Sequence, residues 1–207
     1  MSECISRYFP LLSSGQIEKL LHLKSIYDDW NSKINVISRR DMDNFYIHHV
    51  LHSLSIAKVI SFQPEEQILD VGTGGGFPGI PLAILFPDSE FTLLDSIEKK
   101  IKVVSAVSEE LGLKNVNPLR SRIEDEKGKY HYIISRAVTR FPEFVALTKK
   151  NIRKEGNNTP ANGIFYLKGG DLKSELYQFR SKIKLWNIKD FFTEPFFETK
   201  VIVYLPV

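Results

Sequence analysis

Apolar residues in the first 64 positions of this chain recur at the three- and four-residue spacing of a helix. The first such run follows Ser13 and Ser14, either of which can cap a helix. Its apolar members are Ile17, Leu20, Leu21, Leu23, Ile26, Tyr27 and Trp30. A second run covers 42–60, with Asp41 or Asp43 as its cap. We therefore predict that residues 1–64 form a helical N-terminal extension, with a polar surface loop between its two helices.

From residue 66 the pattern changes to short apolar runs that alternate with helical stretches. It predicts strands at 67–72, 90–95, 115–120, 130–137 and 163–169, and helices at 79–86, 97–112, 140–153 and 171–181. Such alternation is typical of a parallel sheet covered by helices on both faces. The tail from 181 carries two β-rich segments with no helix between them, which indicates an antiparallel hairpin. We therefore predict an α/β domain over 65–207, with five parallel strands and a reversed strand at the end.

Composition limits the class of protein. A chain of 207 residues is long enough for one α/β domain with an appendage, and 43% hydrophobic with 26% charged residues is ordinary for a soluble globular protein. The single cysteine, Cys4, excludes an internal disulfide and is typical of a reducing compartment. The N-terminus has no signal-peptide pattern, and no apolar run approaches the roughly 18 residues of a membrane span. We therefore expect a cytoplasmic protein without a membrane partner.

The segment ILDVGTGGGFPGIPL, at 68–82, holds five glycines after an apolar strand that ends in an acid. A glycine-rich turn between a strand and a helix lets the backbone approach a cofactor. Gly74, Gly76 and Gly79 have the spacing of a dinucleotide fingerprint, and Asp70 followed by Gly72, Gly74 and Gly76 has that of a methyltransferase loop. Asp95, at the end of the second strand, can hold the ribose hydroxyls of either cofactor. The loop alone leaves both open.

Other features favour S-adenosylmethionine. No tyrosine has a lysine four positions later, as many small hydride-transfer enzymes would, and no Gly-Lys-Ser/Thr follows the glycines, as a P-loop would. Asp70 suits a cationic cofactor and would repel a pyrophosphate. A sheet that ends in a reversed hairpin resembles the seven-stranded sheet of S-adenosylmethionine-dependent methyltransferases and differs from that of a dinucleotide-binding domain. We therefore predict S-adenosyl-L-methionine as the cofactor.

Four segments together resemble one family: 68–96, which includes the extended run VGTGGGFPGIPL, then SRIE at 121–124, ISRA at 134–137 and LKGG at 167–170. This family is the bacterial 16S rRNA guanine-N7 methyltransferases, also called glucose-inhibited division protein B. The resemblance covers roughly residues 30 to 207. It implies a Rossmann-like class I methyltransferase with a mostly parallel seven-stranded sheet, a C-terminal antiparallel hairpin and an N-terminal helical extension. The implied substrate is one guanine of 16S rRNA near the decoding centre.

The resemblance also implies site residues. Gly72 and Phe77 would line the cofactor loop, Ile123 and Glu124 would flank the adenine, and Arg136 would lie at the reactive side of the cofactor. The chain departs from the family pattern in one place. The family usually has arginine and aspartate where this chain has His48 and His52.

The sequence lacks the residues that several other kinds of RNA methylation require. Carbon methylation of a pyrimidine needs a cysteine nucleophile, and Cys4 lies far from any predicted strand end. Exocyclic amines usually call for Asp/Asn-Pro-Pro-aromatic after the fourth strand, where this chain has SRAV, and ribose methylation would call for an acid where Arg136 stands. Guanine N7 carries a lone pair and no proton, so its methylation needs alignment more than a base. A site without an obvious general base is consistent with N7.

Basic residues are the candidates for RNA contact, although the net charge of +3 is too small to prove a polyanionic partner. We predict that Arg39, Arg40 and Lys168 bind RNA, together with His49 as a partly buried donor facing the cofactor domain. We expect 16S rRNA or the small ribosomal subunit as the partner, no bound metal, and a monomer. A non-catalytic RNA-binding module and a small-molecule methyltransferase on the same fold stay open as alternatives.

Overall fold

The computed structural model describes residues 2–34, 36–136, 138–154, 158–170 and 172–207. The side chains of Arg39 and Arg40, two of the predicted RNA-binding residues, lie outside what it describes.

The described residues form one seven-stranded sheet. Its strands are β1 (Gln67–Val71), β2 (Glu90–Asp95), β3 (Val116–Arg120), β4 (Tyr132–Arg136), β5 (Gly163–Gly169), β6 (Lys184–Asn187) and β7 (Lys200–Pro206). The order across the sheet is β3-β2-β1-β4-β5-β7-β6, and β1 to β5 are mutually parallel. Strand β7 lies between β5 and β6 and is antiparallel to both. The predicted sheet, with its reversed strand, is confirmed.

Helices cover both faces of this sheet. The N-terminal part contains α1 (Ser2–Tyr8), α2 (Ser14–Lys33), α3 (Arg39–Met42), a π-helical turn (Tyr46–Leu51), α4 (His52–Leu54) and a 3-10 turn (Ser55–Lys58). The remaining α-helices are α5 (Gly79–Leu85), α6 (Glu98–Glu110), α7 (Phe141–Thr148) and α8 (Lys173–Leu176). Short 3-10 turns follow α7 and α8, at Lys149–Asn151 and Tyr177–Phe179, and occur at Ile188–Asp190 and Pro195–Phe197.

The two predicted N-terminal helices have different outcomes. Helix α2 begins as predicted, with Ser13 as its cap: the Ser13 and Gln16 side chains each bond the other's backbone nitrogen. The separate short helix α3, with Ser38 as its cap, precedes the second predicted helix. That second helix is continuous over 46–58, but its geometry changes from π-helical to α and then to 3-10. Its side chains are buried on several sides, including Phe45, Val50 and Leu54. A helix that is apolar on several sides is typical of a buried position, whereas a surface helix has a single apolar stripe.

Two apolar layers flank the sheet. Successive strand residues point to opposite faces, so Ile68 of β1 joins one layer and Leu69 the other. The layer beneath Ile68 contains residues of the N-terminal segment, among them Leu23 and Leu54, and residues of α5 and α6. The layer at Leu69 is built from α7 and α8. The N-terminal segment therefore shares one core with the sheet.

Candidate cofactor and catalytic site

A cavity of about 600 Å³ opens at the carboxyl ends of the parallel strands. It lies beside β1 and β4, where the strand order reverses, which is the usual ligand position in such sheets. Its walls come from the ends of β1 to β4 and the loops that follow them. The lining residues are Val71, Gly72, Leu94, Asp95, Ser96, Ile97, Lys100, Ser121, Arg122, Ile123, Glu124, Arg136 and Val138.

The glycine-rich loop between β1 and α5 forms one wall. Gly72 has φ +68°, and a Cβ placed on it would lie 2.6 Å from Cγ2 of Val138, so no side chain fits there. The buried Asp70 holds the loop from below, because its Oδ2 accepts from Thr73 Oγ1 at 2.6 Å and from the Gly79 nitrogen at 2.8 Å. Asp70 is thus engaged by the loop and by the start of α5, and it is not among the described residues that line the cavity. Burial raises the pKa of its carboxyl to about 7.

Asp95, at the end of β2, is fixed by backbone donors. Its Oδ2 accepts from the Gly74 nitrogen at 3.0 Å, and its Oδ1 accepts from the Ile97 nitrogen at 2.9 Å. Lys100 Nζ lies 3.5 Å from Oδ2. A carboxylate has about four lone-pair sites, so these contacts leave acceptor capacity toward the cavity.

Apolar side chains line the cavity close to this carboxylate. Ile97 is 48% exposed and Val138 is 49% exposed, although both are large and apolar. Ile123 and Glu124, predicted from the resemblance, also line the cavity. Ile97 and Val138 were not predicted, because their sequence positions do not show that they face a ligand-sized space.

Arg136, at the end of β4, reaches the cavity and is held by the N-terminal segment. Its Nη1 donates to the His48 carbonyl oxygen and its Nη2 lies against His49 Nδ1, both at 3.0 Å. A guanidinium has only donors, so Nδ1 accepts. His49 therefore faces the cofactor domain, as predicted, but as an acceptor and not as the predicted donor. Burial lowers the pKa of Arg136 to about 10, which leaves it charged at neutral pH.

Phe77 and Gly74 are predicted cofactor residues that are absent from the described cavity lining. Phe77 is 3% exposed and lies beneath the loop, with the Arg136 guanidinium 5.4 Å from its ring centroid. Its ring also packs against Tyr27, whose hydroxyl donates to the Gly75 carbonyl in the glycine-rich loop. Tyr27 was predicted only as an apolar position of α2, so this contact with the loop was missed.

The chain matches a known family along most of its length. The family model described as rRNA small subunit methyltransferase G matches residues 16–201. The chain belongs to this family. It is similar to the Ribosomal RNA small subunit methyltransferase G of Christiangramia forsetii, with 55% identity over 99% of this chain and 97% of the relative. The protein of that name from Phocaeicola vulgatus is 52% identical, over 99% and 98% of the two chains.

Solved structures support the same fold. A precorrin-6y C5,15-methyltransferase from Geobacter metallireducens superimposes with a TM-score of 0.57 and 12% identity, over 76% of this chain and 88% of that one. A SAM dependent methyltransferase from Aquifex aeolicus gives 0.54 and 15%, over 75% and 89%. The sheet is that of a class I methyltransferase, and this member of the rRNA small subunit methyltransferase G family uses S-adenosylmethionine as its cofactor.

The cavity of this family member has the chemistry that the cofactor requires. Gly72 brings bare backbone to the cavity wall, Asp95 offers fixed acceptors, and Ile97 and Ile123 offer apolar surface beside it. A volume of about 600 Å³ lies within the range of small-molecule sites.

Lys168 lies outside the cavity lining among the described residues, and it is engaged by protein groups. Its Nζ donates to Glu175 Oε1 at 2.6 Å and to the Thr139 carbonyl at 3.0 Å. These bonds tie the segment after Arg136 to α8. Contact between Lys168 and a phosphate stays a prediction.

In the part of the chain that the structure describes, no helix is long and apolar enough to cross a membrane. The same residues contain no cluster of three or more His, Cys, Asp or Glu side chains arranged to hold a metal ion.

Proposed function

We propose that this protein transfers a methyl group from S-adenosylmethionine to N7 of a guanine in 16S rRNA. The observation that supports N7 as the methylated atom is the environment of Arg136. The guanidinium is charged, and the imidazole bound to it is neutral, because burial and the nearby Arg136 lower the pKa of His49 to about 3. His49 Nδ1 is already engaged by Arg136, so it is not available to remove a proton from a substrate. Guanine N7 has no proton to remove.

The cofactor roles follow from where each side chain lies. We infer that Gly72 and Gly74 leave room for the cofactor, that Asp95 accepts from its ribose hydroxyls, and that Ile123 and Glu124 flank its adenine. Phe77 supports the loop and Arg136 from below. The bound cofactor supplies an electrophilic methyl group on a positively charged sulfur.

Arg136 is the residue to which we assign the catalytic role. Positive charge moves from the sulfur to the guanine during transfer, so a cation beside the nucleophile itself would be unfavourable. Arg136 therefore binds an acceptor, such as a carboxylate, the guanine O6 or a phosphate, and fixes the in-line geometry of the reactants.

For the substrate side we propose that Arg39, Arg40 and Lys168 contact phosphates. His49, which was predicted to bind RNA, is 9% exposed and bound to Arg136, so we assign it no contact with RNA. The basic segment at 38–40 precedes the π-helical turn whose carbonyl and imidazole hold Arg136. A partner of this chemistry is 16S rRNA or the small ribosomal subunit. We propose that a single chain acts on it in the cytoplasm.

The test is mass spectrometry of small-subunit rRNA from cells with and without the protein. We expect one N7-methylguanine to disappear without it and to return when the wild-type chain is supplied. Arg136→Lys keeps the charge but loses the planar fork, so it should reduce the methylation rate of purified protein by about 100-fold. An rRNA methylation pattern that does not depend on the protein would contradict the proposed function.

A further inference from the structure

We propose that His49 is a positioning residue for Arg136, whose imidazole Nδ1 fixes the direction in which the guanidinium faces the cavity. This inference rests on the catalytic role proposed above for Arg136. It assigns His49 a task in the reaction itself, distinct from contact with RNA.

Two groups of the N-terminal segment bind the Arg136 fork. The His48 carbonyl accepts from Nη1 and His49 Nδ1 accepts from Nη2, both at 3.0 Å. Bonds to two different nitrogens define the plane of the guanidinium, whereas one bond would let it turn. Arg136 forms no salt bridge with any of the described carboxylates. Its orientation therefore comes from neutral acceptors, and its charge stays available for a ligand.

The His49 ring is itself held in place. It is 9% exposed, stacks against Phe45 at 5.8 Å between centroids, and lies 5.0 Å from the Phe77 ring. Phe77 also lies under the guanidinium, at 5.4 Å. The imidazole, the guanidinium and Phe77 thus form one packed group, and a displacement of the ring would be transmitted to Arg136.

The protonation state of His49 suits an acceptor. A protonated His49 would carry a proton on Nδ1, facing the N–H donors of Arg136. Burial, together with the positive charge of Arg136, lowers the pKa of His49 to about 3. The neutral ring therefore carries its proton on Nε2. This nitrogen is buried and has no hydrogen-bond partner among the described residues. The bond that selects the tautomer is thus the one to Arg136.

Two substitutions separate this role from packing. The amide oxygen of asparagine takes the position of Nδ1, whereas the amide of glutamine reaches the position of Nε2. His49→Asn and His49→Gln are both neutral and polar, and they differ in where the acceptor lies. We expect His49→Asn to keep at least about tenfold more of the wild-type kcat than His49→Gln, which is the effect of a hydrogen bond to a charged group.

The experiment measures single-turnover methylation of rRNA by wild type, both His49 variants, Arg136→Lys and the double variant His49→Gln with Arg136→Lys. Cooperative urea unfolding verifies that each variant is folded. If His49 acts through Arg136, His49→Gln should cause no further loss in the Arg136→Lys background.

Equal rates for the Asn and Gln variants, or losses that add in the double variant, would overturn the positioning role while leaving the proposed function intact. A wild-type rate for Arg136→Lys would overturn the role of Arg136 and that of His49 with it. Loss of cooperative unfolding in both His49 variants would assign the residue to packing and equally overturn the inference.

Discussion

Gly74 and Asp95 are joined by one hydrogen bond, from the Gly74 nitrogen to Asp95 Oδ2 at 3.0 Å. This bond couples the glycine-rich loop to the acid at the end of β2. Gly74 has φ +60°, in the left-handed region, and a Cβ there would meet no atom of the described residues within 4 Å. A side chain at this position would thus be strained but would not clash within the protein, so its effect on binding would report the space that the cofactor uses.

Gly112 offers a matched control for Gly74. It also has φ +60° and open space at its Cβ, but it follows α6 and lies away from the loop. We expect Gly74→Ala and Gly112→Ala each to lower the free energy of unfolding by about 1 kcal/mol, because both force alanine into the left-handed region. Calorimetry should show at least about tenfold weaker S-adenosylmethionine binding for Gly74→Ala alone. Equal affinity in the two variants would remove Gly74 from the cofactor site.

Residue chemistry allowed part of this site to be predicted. The clustered glycines stand out in the sequence, and Asp70 and Asp95 are acids at the ends of otherwise apolar strands. Ile97 and Val138 carry no such signal, because an apolar residue is usually buried and only the fold shows these two to be about half exposed in a cavity. The partner of Lys168 could not be predicted either, since Glu175 approaches it through the packing of α8.

At the scale of elements, the N-terminal segment does more than cover the sheet. Helix α2 sends Tyr27 to the glycine-rich loop, and the π-helical turn sends His48 and His49 to Arg136. The helical spacing of this region predicted its helices but not their contacts. The strands were predicted more closely, since apolar runs of four to seven residues bounded by polar ones mark buried parallel strands. The π-helical and 3-10 geometry of the second helix was not predicted, because a local apolar pattern does not distinguish these from an α-helix.

Tyr27 and Tyr46 allow the contribution of α2 to be measured. Both hydroxyls donate to a backbone carbonyl, that of Gly75 in the loop for Tyr27 and that of Leu21 at 2.6 Å for Tyr46. Tyr27→Phe and Tyr46→Phe should each lower the free energy of unfolding by about 1 kcal/mol. Only Tyr27→Phe should weaken cofactor binding, by roughly 2- to 10-fold, because it frees the loop carbonyl. Calorimetry on both variants checks this, and an unchanged affinity in Tyr27→Phe would limit that bond to stability.

At the scale of the whole molecule, buried titratable groups set opposing responses of stability to pH. His52 is 6% exposed, and burial, followed by the charges of Arg136 and Lys200, holds its pKa well below the usual range. The pKa of His49 is lowered in the same way. Below pH 6.5 the unfolded chain binds protons at these histidines that the folded chain does not, so they reduce stability as the pH falls.

Asp70 acts in the opposite direction. Its raised pKa lets the folded chain keep a proton between about pH 7 and the unfolded value, which adds stability as the pH falls.

Variants at His52 and Asp70 should therefore change the acid response with opposite signs. Urea unfolding at pH 7.5 and 5.5 gives the loss of stability on acidification for each protein. His52→Leu should reduce that loss by roughly 1 kcal/mol, because the unfolded chain binds a proton at His52 between pH 6.5 and 5.5 and the folded chain does not. Asp70→Asn should increase it by roughly 2 kcal/mol, for the interval from pH 7 to 5.5, because its compensating proton is gone. Comparing each variant with itself at two pH values removes the packing effect of the substitution, which is common to both. Losses equal to that of the wild type in both variants would mean that neither group changes its proton affinity on folding, and a change of the same sign in both would contradict the opposition between them.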